Sequence, residues 1–340
     1  MQTLADPSGA VLAFDVGGTT IKAEVVGPDL QSWARASVPT PRGPALADGV
    51  VDTALALLDG LPPEQRDAVR SVGLALPGIV DTDRGVSVFA ANLDLRDVPL
   101  AEPVAARLGL PVRLGHDVTC AAEAERHSGA AADVTDPVVV VIGTGIAAVS
   151  YAHGRRVAGV TGQAGELGHV VVRPGGPRCG CGARGCLEAV ASASSIARDY
   201  QSASGNDVAG AADVVARLGQ DAVADAVWAE ATTAIADGLL IATALLAPGA
   251  IVLGGGLAEA GARLVDPVAT SMRERATAVT VPPLLTAAHG SRAGVVGAAL
   301  IASAPSASTS SVECDELARH AGVSPPTCHT HRDGGGLGER

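Results

Sequence analysis

The stretch "VLAFDVGGTTIKAEVVG" (residues 11–27) decides the fold, because it predicts a strand, a tight glycine turn and a second strand. Asp15 lies at the end of the first strand, and Gly17 and Gly18 follow it. The glycines let a phosphate approach the backbone N–H groups, and the neighbouring carboxylate can hold the magnesium ion of that phosphate. The stretch is not a Walker loop, because no Lys-Ser or Lys-Thr pair follows a second glycine. On its own it is just as typical of an ordinary hairpin turn.

The same pattern returns in "PVVVVIGTGIAAVSYAHG" (137–154), and "GAIVLGGGLAEAGARLV" (249–265) places a strand before three glycines and a helical pattern. Repeated units of this kind, followed by helices, predict a duplicated α/β architecture. The 137–154 stretch also fits the dinucleotide fingerprint G-x-G-x-x-A, but its alternation favours a strand where that fingerprint needs a helix. Three such sites on two similar halves predict a nucleotide held between the halves. Its adenosine is expected on the last turn, at Gly254, Gly255 and Gly256.

The chain is long enough for two lobes. We predict a small N-terminal α/β lobe over residues 10–115 and a larger α/β lobe with the nucleotide and metal sites over 116–293. The helical stretch 294–302 is expected to pack back on the first lobe, and the low-complexity region 303–340 is expected to be a flexible tail. The helices are predicted at 45–58, 100–109, 117–131, 191–203 and 211–247.

The net charge of −12 argues against nucleic acid and against an anionic membrane as partners, since both attract basic surfaces. No run of about 18 uninterrupted apolar residues occurs, so we expect no membrane span. The first residues show no basic region followed by an apolar one, so we expect no signal peptide and a cytoplasmic protein. In that compartment the six cysteines favour metal binding or incidental burial over disulfides.

Half of the cysteines lie in one short glycine-rich loop, as Cys179, Cys181 and Cys186. A disulfide across C-x-C is strained, whereas three cysteines and one histidine form a common closed zinc shell. The nearest upstream histidine is His169 in "GELGH". The spacing therefore predicts a zinc site rather than reactive or incidental thiols.

Two acids flank this loop. Glu166 lies three residues before His169, and Glu188 lies two residues after Cys186. A histidine can bind metal through one nitrogen while the other donates to a ligand hydroxyl. Carboxylates and an imidazole suit a polyol, so we expect the zinc loop to build a sugar-binding wall and not to perform chemistry.

A base for such a substrate is offered by "RLGHDVTC", where His116 and Asp117 end a predicted strand and open a helix. A hydroxyl nucleophile needs a positioned carboxylate to accept its proton during phosphoryl transfer. Taken alone, Asp117 is typical of a helix N-cap, a role that is compatible with catalysis.

With these motifs together, the chain resembles the ROK family of bacterial sugar kinases and related repressors, from about residue 11 to 302. The cysteine signature is the most specific part of this resemblance. The motifs appear in the order of the family as "DVGGTTIK", "LPGIVD", "AANLDLRDVPL", "HD", "GTGI", "GELGH", "CGCGARGCLE" and "IVLGGGL".

The resemblance implies a two-lobed, actin-like fold of the hexokinase type, and a glucokinase-like transfer of phosphate from ATP to a hexose with Asp117 as base. It implies a homodimer or homotetramer. Sugar contacts are implied for Pro77, Gly78, Asn92, His116, Asp117, Glu166, His169 and Glu188. Nucleotide and magnesium contacts are implied for Asp15, Gly17, Gly18, Thr19, Lys22, Gly143, Thr144, Gly145, Gly254, Gly255 and Gly256. Zinc ligands are implied to be His169, Cys179, Cys181 and Cys186.

Two residues depart from the family pattern. His116 stands where family glucokinases usually carry Asn, and Leu95 stands where an aromatic residue is common. The sugar is therefore open between glucose, mannose, N-acetylglucosamine, N-acetylmannosamine, fructose and allose. A catalytically silent sugar-binding regulator is a further alternative, against which the presence of both Asp15 and Asp117 argues. A repressor of the family would need a helix-turn-helix, and only about ten residues precede the first strand.

Overall fold

A computed structural model describes residues 9–160 and 162–304, so nearly all of the predicted tail lies outside the described residues. The strands are β1 Ala10–Val16, β2 Thr20–Val26, β3 Ser32–Pro39, β4 Val69–Leu76, β5 Ile79–Asp81, β6 Val86–Ala90, β7 Leu95–Pro99, β8 Val112–His116, β9 Val138–Ile142, β10 Ile146–Ala152, β11 Arg155–Arg156, β12 Ile251–Gly254 and β13 Leu284–Thr286. The α-helices are α1 Ala45–Asp59, α2 Pro63–Asp67, α3 Ala101–Leu108, α4 Asp117–Ser128, α5 Leu187–Ala191, α6 Ala193–Ser204, α7 Ala211–Ala216, α8 Ala222–Leu246, α9 Ala262–Arg275 and α10 Ala293–Ser303.

Two five-stranded mixed sheets share one topology. The first sheet has the order β3-β2-β1-β4-β8, and the second has the order β11-β10-β9-β12-β13. In each sheet three consecutive strands pair antiparallel. A later strand pairs parallel with the first of them, and the last strand pairs parallel with that later strand. The duplicated mixed sheets predicted from the glycine hairpins are therefore confirmed. Strands β5, β6 and β7 form a third, small antiparallel sheet.

Aliphatic side chains build the cores of both halves. On α1, the residues Leu46, Val50, Ala54 and Leu57 repeat at helical spacing and are buried. Helix α8 is long and apolar enough to cross a membrane by length and composition alone. However, Ile235 and the other buried residues of α8 belong to the core of the second half. This helix is apolar because it is a core helix.

The prediction of one long helix over 211–247 is wrong, because residues 217–221 interrupt the helix and separate α7 from α8. Gly219 adopts a φ of +79°, which ends the helical path. The carboxylate of Asp221 then accepts the N–H groups of Val223 and Ala224 at 2.8 and 3.3 Å and caps α8.

Helix α10 packs directly against the first sheet and against α4. A Cβ at Gly297 would lie 1.8 Å from the carbonyl oxygen of Cys120 on α4. Likewise, a Cβ at Gly73 on β4 would lie 2.0 Å from the carbonyl oxygen of Ala298. These glycines let backbone contact backbone, which brings the start of α10 close to the end of β1. The division of the chain into lobes at residue 115 stays a prediction.

Candidate active site

A cavity of about 280 Å³ is lined by both halves of the chain. The first half contributes Asp15 from β1 and Lys22 from β2, and the start of α4, which follows the last strand of the first sheet, contributes Asp117. The second half contributes the Gly254–Gly256 turn that follows β12. Residues that the sequence predicts for a nucleotide, and the predicted base, therefore share one cavity, which we call the nucleotide cavity.

Asp15 is held in an environment that favours its neutral form. Burial raises the pKa of Asp15 to about 6; the Lys22 ammonium opposes this shift and the Asp117 carboxylate adds to it. A Cβ at Gly294 of α10 would lie 2.5 Å from the Asp15 carboxyl carbon, so only glycine leaves room for the carboxylate there. Among the described residues lining this cavity, Lys22 is the one cation. A divalent cation bound here would stabilise the ionised carboxylates.

Asp117 is the first residue of α4, and the N-cap position belongs to His116, so the N-cap interpretation of Asp117 is wrong. The Asp117 carboxylate instead accepts the N–H of Val118 at 2.7 Å. Loss of surrounding water raises the pKa of Asp117, while His116 lowers it, with its Nε2 3.4 Å from Asp117 Oδ1. The carboxylate is more basic than an exposed one, which suits a proton acceptor.

A second cavity of about 860 Å³ adjoins the first, since Val118 lines both. Four residues that the resemblance implies for sugar binding line it: Gly78, His116, Glu166 and His169. We call it the sugar cavity. Asp117, which precedes Val118, therefore lies at the place where the two cavities adjoin. Pro77, which precedes Gly78, is not among the residues lining either cavity.

The glycine turns of the two hairpins lie outside the walls of both cavities. In the β1–β2 turn, which contains Gly17, Gly18 and Thr19, the Gly17 N–H donates to the Thr20 carbonyl at 3.0 Å. In the β9–β10 turn, which contains Gly143, Thr144 and Gly145, the Gly143 N–H donates to the Gly145 carbonyl at 2.9 Å.

Two predicted sugar residues lie against these turns instead of in the cavity walls. The Asn92 amide nitrogen is 3.0 Å from the position of a Cβ on Gly18. The Glu188 carboxylate accepts the N–H of Ile146 at 3.0 Å and lies 2.6 Å from the position of a Cβ on Gly145. A side chain at either glycine would therefore displace the polar group that approaches its turn, Glu188 more than Asn92.

The structure gathers His169, Cys179, Cys181 and Cys186, with their ligand atoms all within 4.8 Å of one another. The Cys179 sulfur is 3.6 Å from His169 Nδ1, and the Cys181 and Cys186 sulfurs are 3.7 Å apart. Tetrahedral zinc with bonds of about 2.3 Å separates neighbouring sulfur ligands by about 3.7 Å, whereas a disulfide needs about 2.05 Å. The donor set and its spacing fit zinc.

His169 contacts both the cysteine cluster and the sugar cavity. Its Nδ1 points into the cysteine cluster, and its Nε2 lies 3.7 Å from Glu166 Oε2 in the sugar cavity. The loop that carries both residues crosses β10 closely: Gly165 has a φ of +105°, and a Cβ there would lie 1.9 Å from the Ala148 carbonyl oxygen. This close approach fixes the imidazole and the carboxylate relative to the sheet.

Sequence reasoning missed two anchors of the site. Arg173 follows the His169 loop and donates to Glu230 at 2.6 Å and Asp237 at 2.7 Å on α8, which ties the loop to the core helix. Glu125 of α4 is buried and accepts three backbone N–H groups. The only sequence signal for Glu125 is an acid within the apolar pattern of α4, and that signal is weak.

The sequence model of the ROK family matches residues 11–304. A glucokinase of Streptomyces coelicolor is 30% identical over 319 residues, covering 87% of this chain and 98% of that protein. An N-acetylmannosamine kinase of Escherichia fergusonii is 33% identical over 297 residues, covering 86% of this chain and 97% of that protein.

A crystal structure of a ROK family glucokinase from Streptomyces griseus, in complex with glucose and AMPPNP, superposes with a TM-score of 0.73. It is 30% identical, and the match covers 86% of this chain and 99% of that one. The actin-like, hexokinase-type fold expected from the sequence is therefore confirmed, and the Cys/His cluster that accompanies it is compatible with zinc.

Proposed function

The chain belongs to the ROK family, and from this premise we propose that it is an ATP-dependent hexokinase that converts D-glucose and ATP to glucose 6-phosphate and ADP. One observation carries the proposal: Asp117 lies beside Val118, where the nucleotide cavity and the sugar cavity adjoin. The relatives that are named glucokinases, one of them solved with glucose and an ATP analogue, support the choice of sugar and phosphate donor.

In the proposed reaction Asp117 accepts the proton of the sugar hydroxyl. The hydroxyl oxygen forms a bond to the γ-phosphorus while the bond from that phosphorus to the β,γ-bridging oxygen breaks, and ADP leaves with the electron pair. Protein surroundings raise the pKa of Asp117, so it holds a proton more readily than an exposed carboxylate. His116, Glu166 and His169 orient the sugar from the wall of its cavity.

Two metals belong to this proposal. Asp15 would hold magnesium, directly or through water, near the phosphates, and Lys22 supplies the neighbouring positive charge. When bound, magnesium neutralises the charge that develops on the phosphates. His169, Cys179, Cys181 and Cys186 would hold zinc as a structural ion, because a closed shell of four protein ligands leaves no open position for a substrate.

We further propose a cytoplasmic protein that acts on small molecules, without nucleic acid or membrane partners, and forms a homodimer or homotetramer. The acidic charge supports the first part of this proposal.

A second candidate sugar is N-acetylmannosamine. It is favoured by the relatives named N-acetylmannosamine kinases, while His116, which stands where family glucokinases usually carry Asn, leaves the sugar open. Both candidates share the phosphoryl transfer and differ only in the sugar contacts.

The test is a coupled assay of ADP release with magnesium-ATP and single hexoses, glucose first. Turnover on glucose supports the full proposal. Turnover on another sugar alone keeps the kinase and assigns the change of sugar to His116, which lines the sugar cavity, since Leu95 is buried in the core of the first half. If no sugar supports ADP release although the protein binds zinc and sugar, the result contradicts the proposal and favours a sugar-binding regulator.

A further inference from the structure

A buried carboxylate outside the predicted site faces the nucleotide cavity. Glu125 lies on α4 eight residues after Asp117 and is 1% exposed. Asp117, Ala121 and Glu125 follow one another at intervals of four residues and all line this cavity. One face of α4 thus carries the proposed base at its start and Glu125 two turns later.

The two oxygens of Glu125 accept three backbone N–H groups. Oε2 accepts those of Ala130 at 2.8 Å and Ala288 at 2.9 Å, and Oε1 accepts that of His289 at 2.8 Å. Ala130 follows the end of α4, whereas Ala288 and His289 belong to the segment between β13 and α10. The carboxylate therefore fastens this segment to α4. A side chain with one acceptor oxygen cannot satisfy all three donors equally well.

The fastened segment is a wall of the nucleotide cavity. Ala287, Gly290 and Ser291 line that cavity, and none of the residues 287–291 lines the sugar cavity. The Ser291 carbonyl also accepts a hydrogen bond from Lys22 Nζ at 3.1 Å. The wall is thus held by α4 on one side and on the other by Lys22, for which the resemblance implies a nucleotide contact.

We infer that Glu125 is a positioning residue for the nucleotide, because it holds residues 287–291 in the place where they form this wall. The inference rests on the proposed function, since it takes the occupant of the cavity to be the nucleotide of the phosphoryl transfer. Glu125 acts through backbone groups and leaves the sugar cavity unchanged.

The substitution Glu125→Gln tests this role, because it keeps the volume and leaves one acceptor oxygen in place of two. Calorimetry with MgADP should show affinity weakened about tenfold, the scale of one lost hydrogen bond to a charged group. Val268→Ala is the matched control: Val268 is fully buried on α9, away from the cavity, so its variant loses stability and keeps its MgADP affinity.

Unchanged MgADP affinity in Glu125→Gln, beside normal binding by the wild type, overturns the role of Glu125 and leaves the kinase proposal standing. Equal weakening in Val268→Ala overturns it as well, because stability alone would then explain the effect. No MgADP binding by the wild type overturns both proposals.

A second measurement needs no variant and so does not depend on how Glu125→Gln folds. In wild-type protein, the amides of Ala288 and His289 should exchange hydrogen slowly, and MgADP should slow them further. Fast exchange that MgADP does not alter overturns the inference.

Discussion

The two five-stranded sheets share a strand order but carry different chemistry. Asp15 and Val141 occupy matching positions, two residues before the first glycine of the β1–β2 and β9–β10 turns, and both line the nucleotide cavity. In the first half this position is a carboxylate with a raised pKa, paired across the hairpin with Lys22. In the second half it is an apolar side chain, and the turn relies on the distant Glu188 for its polar contact.

The difference teaches that the duplication supplies a backbone frame, while charged side chains are distributed unequally over its two halves. Four carboxylates and one lysine line the nucleotide cavity, and most of these charged groups come from β1, β2 and α4: Asp15, Lys22, Asp117 and Glu125. The second half contributes glycine backbone, the carboxylate of Glu259 and the cysteine–histidine cluster. The predictions below test this division, beginning with the largest expected effect.

Loss of the proposed base at the start of α4 should have the largest effect. In Asp117→Asn we expect turnover to fall by about 10²–10⁴, the usual contribution of a general base, while sugar affinity stays nearly unchanged. Steady-state kinetics and calorimetry with the sugar measure both quantities. Asp29→Asn changes an exposed carboxylate and should keep full turnover. Normal turnover in Asp117→Asn would remove this residue from the mechanism.

In the glycine turn that follows β12, the backbone conformation should decide how a substitution changes stability. Gly255 has a φ of +80°, and a Cβ there would lie 2.4 Å from the Ile142 carbonyl oxygen. We expect Gly255→Ala to lower the free energy of unfolding by about 2–4 kcal/mol. Gly256 has no atom within 4 Å of a Cβ position, so Gly256→Ala should change stability by less than about 0.5 kcal/mol. Equal denaturation midpoints for the two variants contradict this account.

The pH dependence of the free energy of unfolding should reveal the ionisation of Asp15. Its folded pKa of about 6 exceeds the unfolded value of 3.8, so the contribution of Asp15 to stability is fully present below pH 3.8 and is lost as pH rises through 6. Asp15→Asn removes this loss, and we expect the variant to gain about 2–3 kcal/mol over wild type at pH 8 and nothing at pH 4. Urea unfolding at both pH values measures the difference. A gain of the same size at pH 4 would assign the effect to packing.

The smallest expected effect lies in the metal cluster. Cys181→Ser should lose its zinc, as measured by atomic absorption, and weaken hexose affinity about tenfold, because His169 is then no longer held. Cys120→Ala removes a buried thiol of α4 outside the cluster and should retain zinc. Hexose affinity that survives the loss of zinc would show that the cluster does not shape the sugar wall.

The sequence predicted features that local patterns encode. The hairpins follow from apolar runs around glycines, and the cysteine cluster follows from its spacing. The interruption between α7 and α8 was not predicted, because the sequence pattern does not distinguish Asp221 from an exposed polar residue of a continuous helix. Only the structure shows that its carboxylate caps α8. The contacts of Glu125 and Glu188 were beyond sequence reasoning, since each carboxylate meets backbone donors that only the tertiary structure brings near.

Helix α10 has a consequence for the order of folding. Its residues Val295, Ala298 and Ala302 join Val11, Ala13 and Ala75 of the first sheet in one buried cluster. During synthesis the N-terminal strands leave the ribosome long before α10 exists, so one face of the first sheet stays uncovered until almost 300 residues have been made. The half that is translated first is therefore completed last, and α10 closes it.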